Sequence, residues 1–138
     1  MNNIKRRSFL KLISLGAILS YLPRINAQIL STDNDVQLIR HGHKFFDVYR
    51  RLFNKRLNFK PKIIALCKTE LGVQKAIKYA NDHALAINIK SGGHSFEGFS
   101  LNNDGMVIGL SSMNDLVLDD KHRLVAEPAV RLAQLYGY

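Results

Sequence analysis

An α/β fold is predicted for the second half of this sequence, on three observations. Lys62-Ile63-Ile64-Ala65-Leu66-Cys67 is a short apolar run between Pro61 and a polar turn, which marks a buried strand. Val73, Ala76, Ile77 and Ala80 then recur at helical spacing, and Ala86-Ile87-Asn88-Ile89 forms a second short apolar run. Strand, helix and strand within about 30 residues make a βαβ unit, whose strands are expected parallel and whose crossover is expected right-handed.

The individual elements carry local signals. Thr69 stands as N-cap of the helix, Glu70 complements its positive end, and Asn81-Asp82-His83 stops it. Met106-Val107-Ile108-Gly109-Leu110 reads as a third strand. Leu116-Val117-Leu118 and Arg123-Leu124-Val125-Ala126 flank the polar turn Asp119-Asp120-Lys121-His122, which predicts an antiparallel hairpin. Residues 130–138 begin a helix. No internal repeat is present.

Composition bounds the alternatives. The 138 residues are 46% hydrophobic and 22% charged, with nine Gly, three Pro and one Cys. Wholesale disorder, collagen-like chains, disulfide scaffolds and Cys-rich zinc modules are excluded, and at most one domain fits. The net charge of +9 is uneven: residues 1–27 hold five basic residues and no acid, leaving 15 basic and 11 acidic residues for the rest. Residues 40–62 add eight basic residues against Asp47 alone. This charge is one segment, with Phe46, Tyr49, Leu52 and Phe53 scattered at helix-like spacing over residues 45–59. It reads as a solvated helix face rather than a nucleic-acid surface.

The first 27 residues have the order of an export signal. Lys5-Arg6-Arg7-Ser8-Phe9-Leu10-Lys11 is a basic opening, residues 12–22 carry no charge, and Ile25-Asn26-Ala27 offers a cleavage site. The uncharged stretch is well short of the roughly 20 apolar residues of a membrane span, so no stable membrane span is expected. Arg6-Arg7 followed by Phe9-Leu10-Lys11 resembles the bacterial twin-arginine signal, a receptor-read address for folded proteins. That resemblance implies export to the periplasm or beyond and raises the expectation of a redox cofactor. Residues 28–43 are polar and aperiodic and read as a linker. His41 and His43 lack further ligands nearby, so no metal site is assigned.

The chemistry concentrates after the second strand, in Lys90-Ser91-Gly92-Gly93-His94-Ser95-Phe96-Glu97-Gly98-Phe99-Ser100. In α/β sheets ligands bind at the carboxyl ends of strands. Paired glycines let successive N–H groups converge on one anion such as a pyrophosphate. On residue types alone an ordinary Gly-Gly turn is the favoured reading. The loop lacks G-x-G-x-x-G and the Gly-Lys-Ser/Thr of a P-loop, so neither Rossmann nor nucleotide-hydrolysing chemistry is supported.

Residues 91–100 resemble the flavin-attachment loop of the berberine-bridge-enzyme-like oxidases, of the vanillyl-alcohol-oxidase family with its PCMH-type FAD-binding domain. Lys60-Pro61, Lys78-Tyr79-Ala80-Asn81-Asp82-His83 and the strand from Met106 extend the resemblance over about 75 residues, 60–134. It implies an α/β (α+β) fold: an N-terminal βαβ subdomain plus the start of a second, mainly antiparallel subdomain, truncated. It implies FAD held by Ser91, Gly92, Gly93, His94, Ser95, Gly98 and Ser100, with His94 bonded covalently to the flavin 8α carbon. The tether keeps the cofactor through export and tunes its potential. Three positions depart from the family pattern. Lys90 replaces an Arg, Gly72 replaces an acidic residue at the helix start, and Pro128-Ala129 replaces a glycine-containing pair. Cys67 sits within the first strand and reads as a buried inert thiol.

The resulting division is 1–27 twin-arginine-like signal peptide, 28–59 linker and basic helix, and 60–138 partial FAD-binding domain. The implied function is the FAD-binding part of an exported oxidase or dehydrogenase of alcohols or sugars. In intact relatives a small-molecule substrate gives a proton to a base and a hydride to the flavin. No catalytic base is assigned here, and the chain is expected to be inactive alone. The alternatives are a non-catalytic fragment, a subunit whose partner chain supplies the missing half, or an exported anion-binding module without flavin.

Overall fold

The computed structural model describes residues 33–137; the expected signal peptide, and residues 28–32 of the expected linker, lie outside them. Strands β1 (Val36–Arg40), β2 (Ile63–Cys67), β3 (Ile87–Lys90) and β4 (Met106–Gly109) form one sheet in the order β1-β2-β4-β3. β2 and β3 both run parallel to β4, which lies between them, so the two strands of the βαβ unit are parallel but not adjacent. β1 pairs antiparallel with β2, Val36 opposite Cys67 and Arg40 opposite Ile63.

β2 is buried at all five positions, as a central strand covered on both faces must be. Alternation along it divides the core. Ile63, Ala65 and Cys67 join Ala76 and Ala80 of helix α2 (Glu70–Asp82) on one face. Ile64 and Leu66 join Phe46, Leu52 and Leu101 on the other. Thr69 caps α2 as expected, its Oγ accepting from Gly72 N at 3.0 Å. The same hydroxyl donates to Asp35 Oδ1 at 2.9 Å, and Lys75 Nζ reaches Asp33 and Asp35, both at 2.7 Å. Gly72 is explained by this junction: a Cβ there would collide with the carbonyl oxygen of Asp35.

Two expectations are corrected. The linker contains β1, whose Val36 and Ile39 are wholly buried. Its apolar residues at 36, 38 and 39 look aperiodic because they feed both core clusters. The basic segment has one helical turn, α1 (Phe46–Tyr49), followed by irregular chain. Phe46, Leu52, Leu57 and Phe59 anchor it to the sheet at spacings no single helical stripe provides. Arg50 holds the coil by donating to Asn58 Oδ1 at 2.6 Å and Phe59 O at 3.3 Å. Arg51, Lys55 and Arg56 are exposed, as a solvated charge run should be.

Beyond the sheet, β5 (Leu116–Leu118) and β6 (Leu124–Ala126) form the expected antiparallel hairpin, with Val117 opposite Val125. Asp119 organises its turn by accepting from the N–H groups of Lys121 and Arg123. A short helix, α3 (Leu132–Leu135), follows. No helix among the described residues is long and apolar enough to cross a membrane.

Candidate functional site

The carboxyl ends of β3 and β4 open on a cleft of about 1340 Å³. From β3 come Lys90, Ser91, Gly92 and His94; from β4 come Gly109, Ser111 and Asn114; residues 129–134 close the far side. The last wall is fixed by two hydrogen bonds: Ser91 Oγ donates to Pro128 O at 2.6 Å and Ala129 N to Met113 O at 2.9 Å. The site therefore lies where an α/β sheet places ligands, and its volume exceeds that of a drug-sized pocket.

The seven residues expected to hold the cofactor divide into two groups. Ser91, Gly92 and His94 line the cleft. Gly93, Ser95, Gly98 and Ser100 stand behind it and shape the loop. Gly93 is buried at φ +68°, where a Cβ would meet Lys90 Cε at 2.8 Å. Ser95 Oγ accepts from Gly98 N at 3.1 Å and Phe99 N at 3.3 Å. Gly98 is buried at φ +83°, with no room for a Cβ against Phe59 and Leu57. Ser100 is half-buried.

Among the described residues, the backbone N–H groups of Gly92, Gly93, His94 and Ser95 donate to no protein acceptor. Such a run of free amides beside a cleft is a nest for an anion. The cleft's charged side chains agree with it: Lys90 and Arg131 line it, and no carboxylate does. Lys90 Nζ donates to Tyr49 O at 2.5 Å and Arg51 O at 2.6 Å. Burial pushes its ammonium below the usual lysine range. His94 lines the cleft, its imidazole packed against Gly92 and its centroid 6.0 Å from that of Phe53.

A dinucleotide cofactor fits this donor set. The free amides suit a diphosphate, the cleft can take an extended ligand, and His94 stands at its wall. Ser111, Asn114 and Arg131 were not singled out from the sequence. The first two follow β4 directly, so the strand-end rule that marks the glycine loop also points to them. Arg131 arrives through the return of the chain after the hairpin, for which no local signal exists.

Comparison with known proteins places these features in context. The family described as FAD binding domain matches residues 61–138. (R)-6-hydroxynicotine oxidase of Paenarthrobacter nicotinovorans is 35% identical over 74 residues, 54% of this chain and 16% of that protein. Carbohydrate oxidase of Microdochium nivale is 36% identical over 87 residues, 60% of this chain and 18% of that protein. The structure of xylooligosaccharide oxidase from Myceliophthora thermophila C1 in complex with xylobiose superposes with a TM-score of 0.66 at 28% identity. That superposition covers 74% of this chain and 23% of the other. The chain thus spans less than a quarter of the length of each of these relatives.

Proposed function

The chain belongs to the FAD binding domain family, and from that premise we propose that it holds FAD in the cleft beyond β3 and β4, covalently through His94, as the cofactor-binding part of an exported oxidoreductase of alcohols or sugars. One observation carries the reading: Gly92 and His94 line the cleft within a run of four consecutive amides, residues 92–95, that donate to no protein acceptor among the described residues. The family itself agrees with the PCMH-type, berberine-bridge-enzyme-like resemblance of the glycine loop.

Each residue has a task in this reading. The amides of Gly92 and His94, which line the cleft, receive the diphosphate, and Lys90 on the same wall adds positive charge. Ser95 and Gly98 hold the loop in its curve. His94 supplies the ring nitrogen of the tether. When bound, FAD supplies two-electron oxidation chemistry. His94 would give up its imidazole N–H proton on forming the bond, and the two-electron oxidation that the bond requires would be supplied by the flavin when bound. The names of the relatives include carbohydrate and xylooligosaccharide oxidases, which supports sugars, beside (R)-6-hydroxynicotine oxidase, which acts on no sugar by its name.

Export rests on residues 1–27. Replacing Arg6-Arg7 with Lys-Lys should strand a folded reporter in the cytoplasm, because bulk positive charge does not replace a receptor address. Export at the original rate contradicts this assignment.

Exposed Val117, Val125, Leu132 and Tyr136 favour a second reading, in which a further polypeptide, in cis or in trans, covers this side and completes the cradle. A single experiment tests FAD binding: the full chain is mixed with FAD, passed through gel filtration and assayed for retained flavin. Retention by the wild type and loss in Gly93→Val support binding, since valine is excluded by the positive φ and by Lys90. Equal retention by both contradicts the role of the loop.

A further inference from the structure

Residues 49–54 precede the matched segment 61–138 and carry no motif, yet four hydrogen bonds tie them to the glycine loop and the strand that feeds it. Phe53 N donates to Gly93 O at 3.1 Å, and Asn54 Nδ2 donates to Phe96 O at 2.8 Å. Lys90, the last residue of β3, sends Nζ to the carbonyls of Tyr49 and Arg51. Leu52 between them is buried in the core. Phe53 is not: 62% of its surface is exposed, so burial does not account for holding its ring in place.

What the ring meets is the imidazole. The Phe53 centroid lies 6.0 Å from that of His94, with the planes 35° apart, and Phe96 braces Phe53 edge-on at 5.8 Å. On another side the imidazole folds against Gly92, where a Cβ would stand 2.5 Å from its Nδ1. His94 itself lines the cleft. An imidazole on an exposed loop otherwise samples several rotamers, of which only some face the cleft.

We propose that Phe53 is a positioning residue for His94: clasped to the loop through Gly93 and Lys90, its ring is the wall that keeps the imidazole turned into the cleft. The inference rests on the proposed FAD linkage and names the residue that sets its geometry. Bond formation needs the nitrogen in contact with its carbon target, and misplacement by an ångström is enough to slow such a step by about 100-fold.

The test uses the full chain with FAD, measuring affinity by flavin fluorescence and attachment by flavin retained after acid precipitation. Phe53→Ala should slow attachment at saturating FAD by about tenfold or more with little change in affinity, and Phe53→Tyr should restore it. Attachment at the wild-type rate in Phe53→Ala overturns the proposal. So does an affinity loss that accounts for the whole slowing, since that is loop folding and not positioning. A second measurement needs no flavin. In the proton spectrum of the free chain, Phe53→Ala should move the His94 ring resonances further than those of His41, His43, His83 and His122, and an unmoved His94 overturns the proposal. A His94→Ala chain that still gains covalent flavin overturns the linkage itself, whereas unimpaired Phe53→Ala overturns the role of Phe53 alone.

Discussion

The imidazole of His94 occupies the place where a side chain on Gly92 would stand: a Cβ there would lie 2.5 Å from Nδ1 and 2.7 Å from Cε1. Gly92 is exposed, so its lack of a side chain serves this close approach rather than core packing. Gly92→Ala should therefore push the ring from its position. Covalent flavin after acid precipitation should fall severalfold while reversible FAD binding, made by backbone amides, persists. Unchanged attachment would show that the packing of the ring on Gly92 is incidental.

Gly98 tests the scaffold without touching the cleft. Its φ of +83° and its contact with Phe59 and Leu57 both exclude a side chain. Gly98→Ala should cost about 1–3 kcal/mol of stability, seen as a lower midpoint in thermal unfolding. A midpoint equal to the wild type would mean that the loop adapts freely and that its curve is not imposed by residue 98.

How much of this was legible beforehand depended on the range of the interactions. β2, α2 and β4 follow from local pattern: an apolar run flanked by breakers, a Thr N-cap and helical spacing. β1 was not legible, because it is a strand only by pairing with β2 and its apolar residues serve two faces. The basic segment read as a helix because residues 46, 49, 52 and 53 satisfy helical spacing. The carbonyls of Tyr49 and Arg51 are instead taken by Lys90, some 40 residues away. Of the glycine loop, the sequence marked the right stretch without separating the residues that face the cleft from those that shape it. That separation is set by Ser95 bonding to Gly98 and by Phe59 packing on Gly98, contacts beyond a residue-type pattern.

The thiol of Cys67 provides a test of the sheet's centre. It is wholly buried, and burial pushes its pKa up to about 11. In the folded chain it should resist a thiol reagent at about pH 8 and react fully once denaturant is added. Rapid labelling without denaturant would contradict the closed packing of β2 between β1 and β4.

The Asp33–Lys75–Asp35 cluster ties β1 to α2 and predicts a pH dependence. Hydrogen bonding from Lys75 holds the Asp33 carboxyl below its ordinary value of 3.8. A depressed carboxylate contributes stability above its unfolded pKa and loses it as pH falls through the folded one. Thermal midpoints should thus decline between about pH 5 and pH 2, and Lys75→Met should flatten that decline. An identical acid profile in the variant would remove the cluster from the account of stability.

The proposed tether of FAD to His94 is measured most directly by peptide mass spectrometry on the full chain after incubation with FAD and acid precipitation. Flavin is expected on the peptide containing His94, with no covalent flavin in His94→Ala. Flavin attached to another peptide, or retained covalently by His94→Ala, would contradict it.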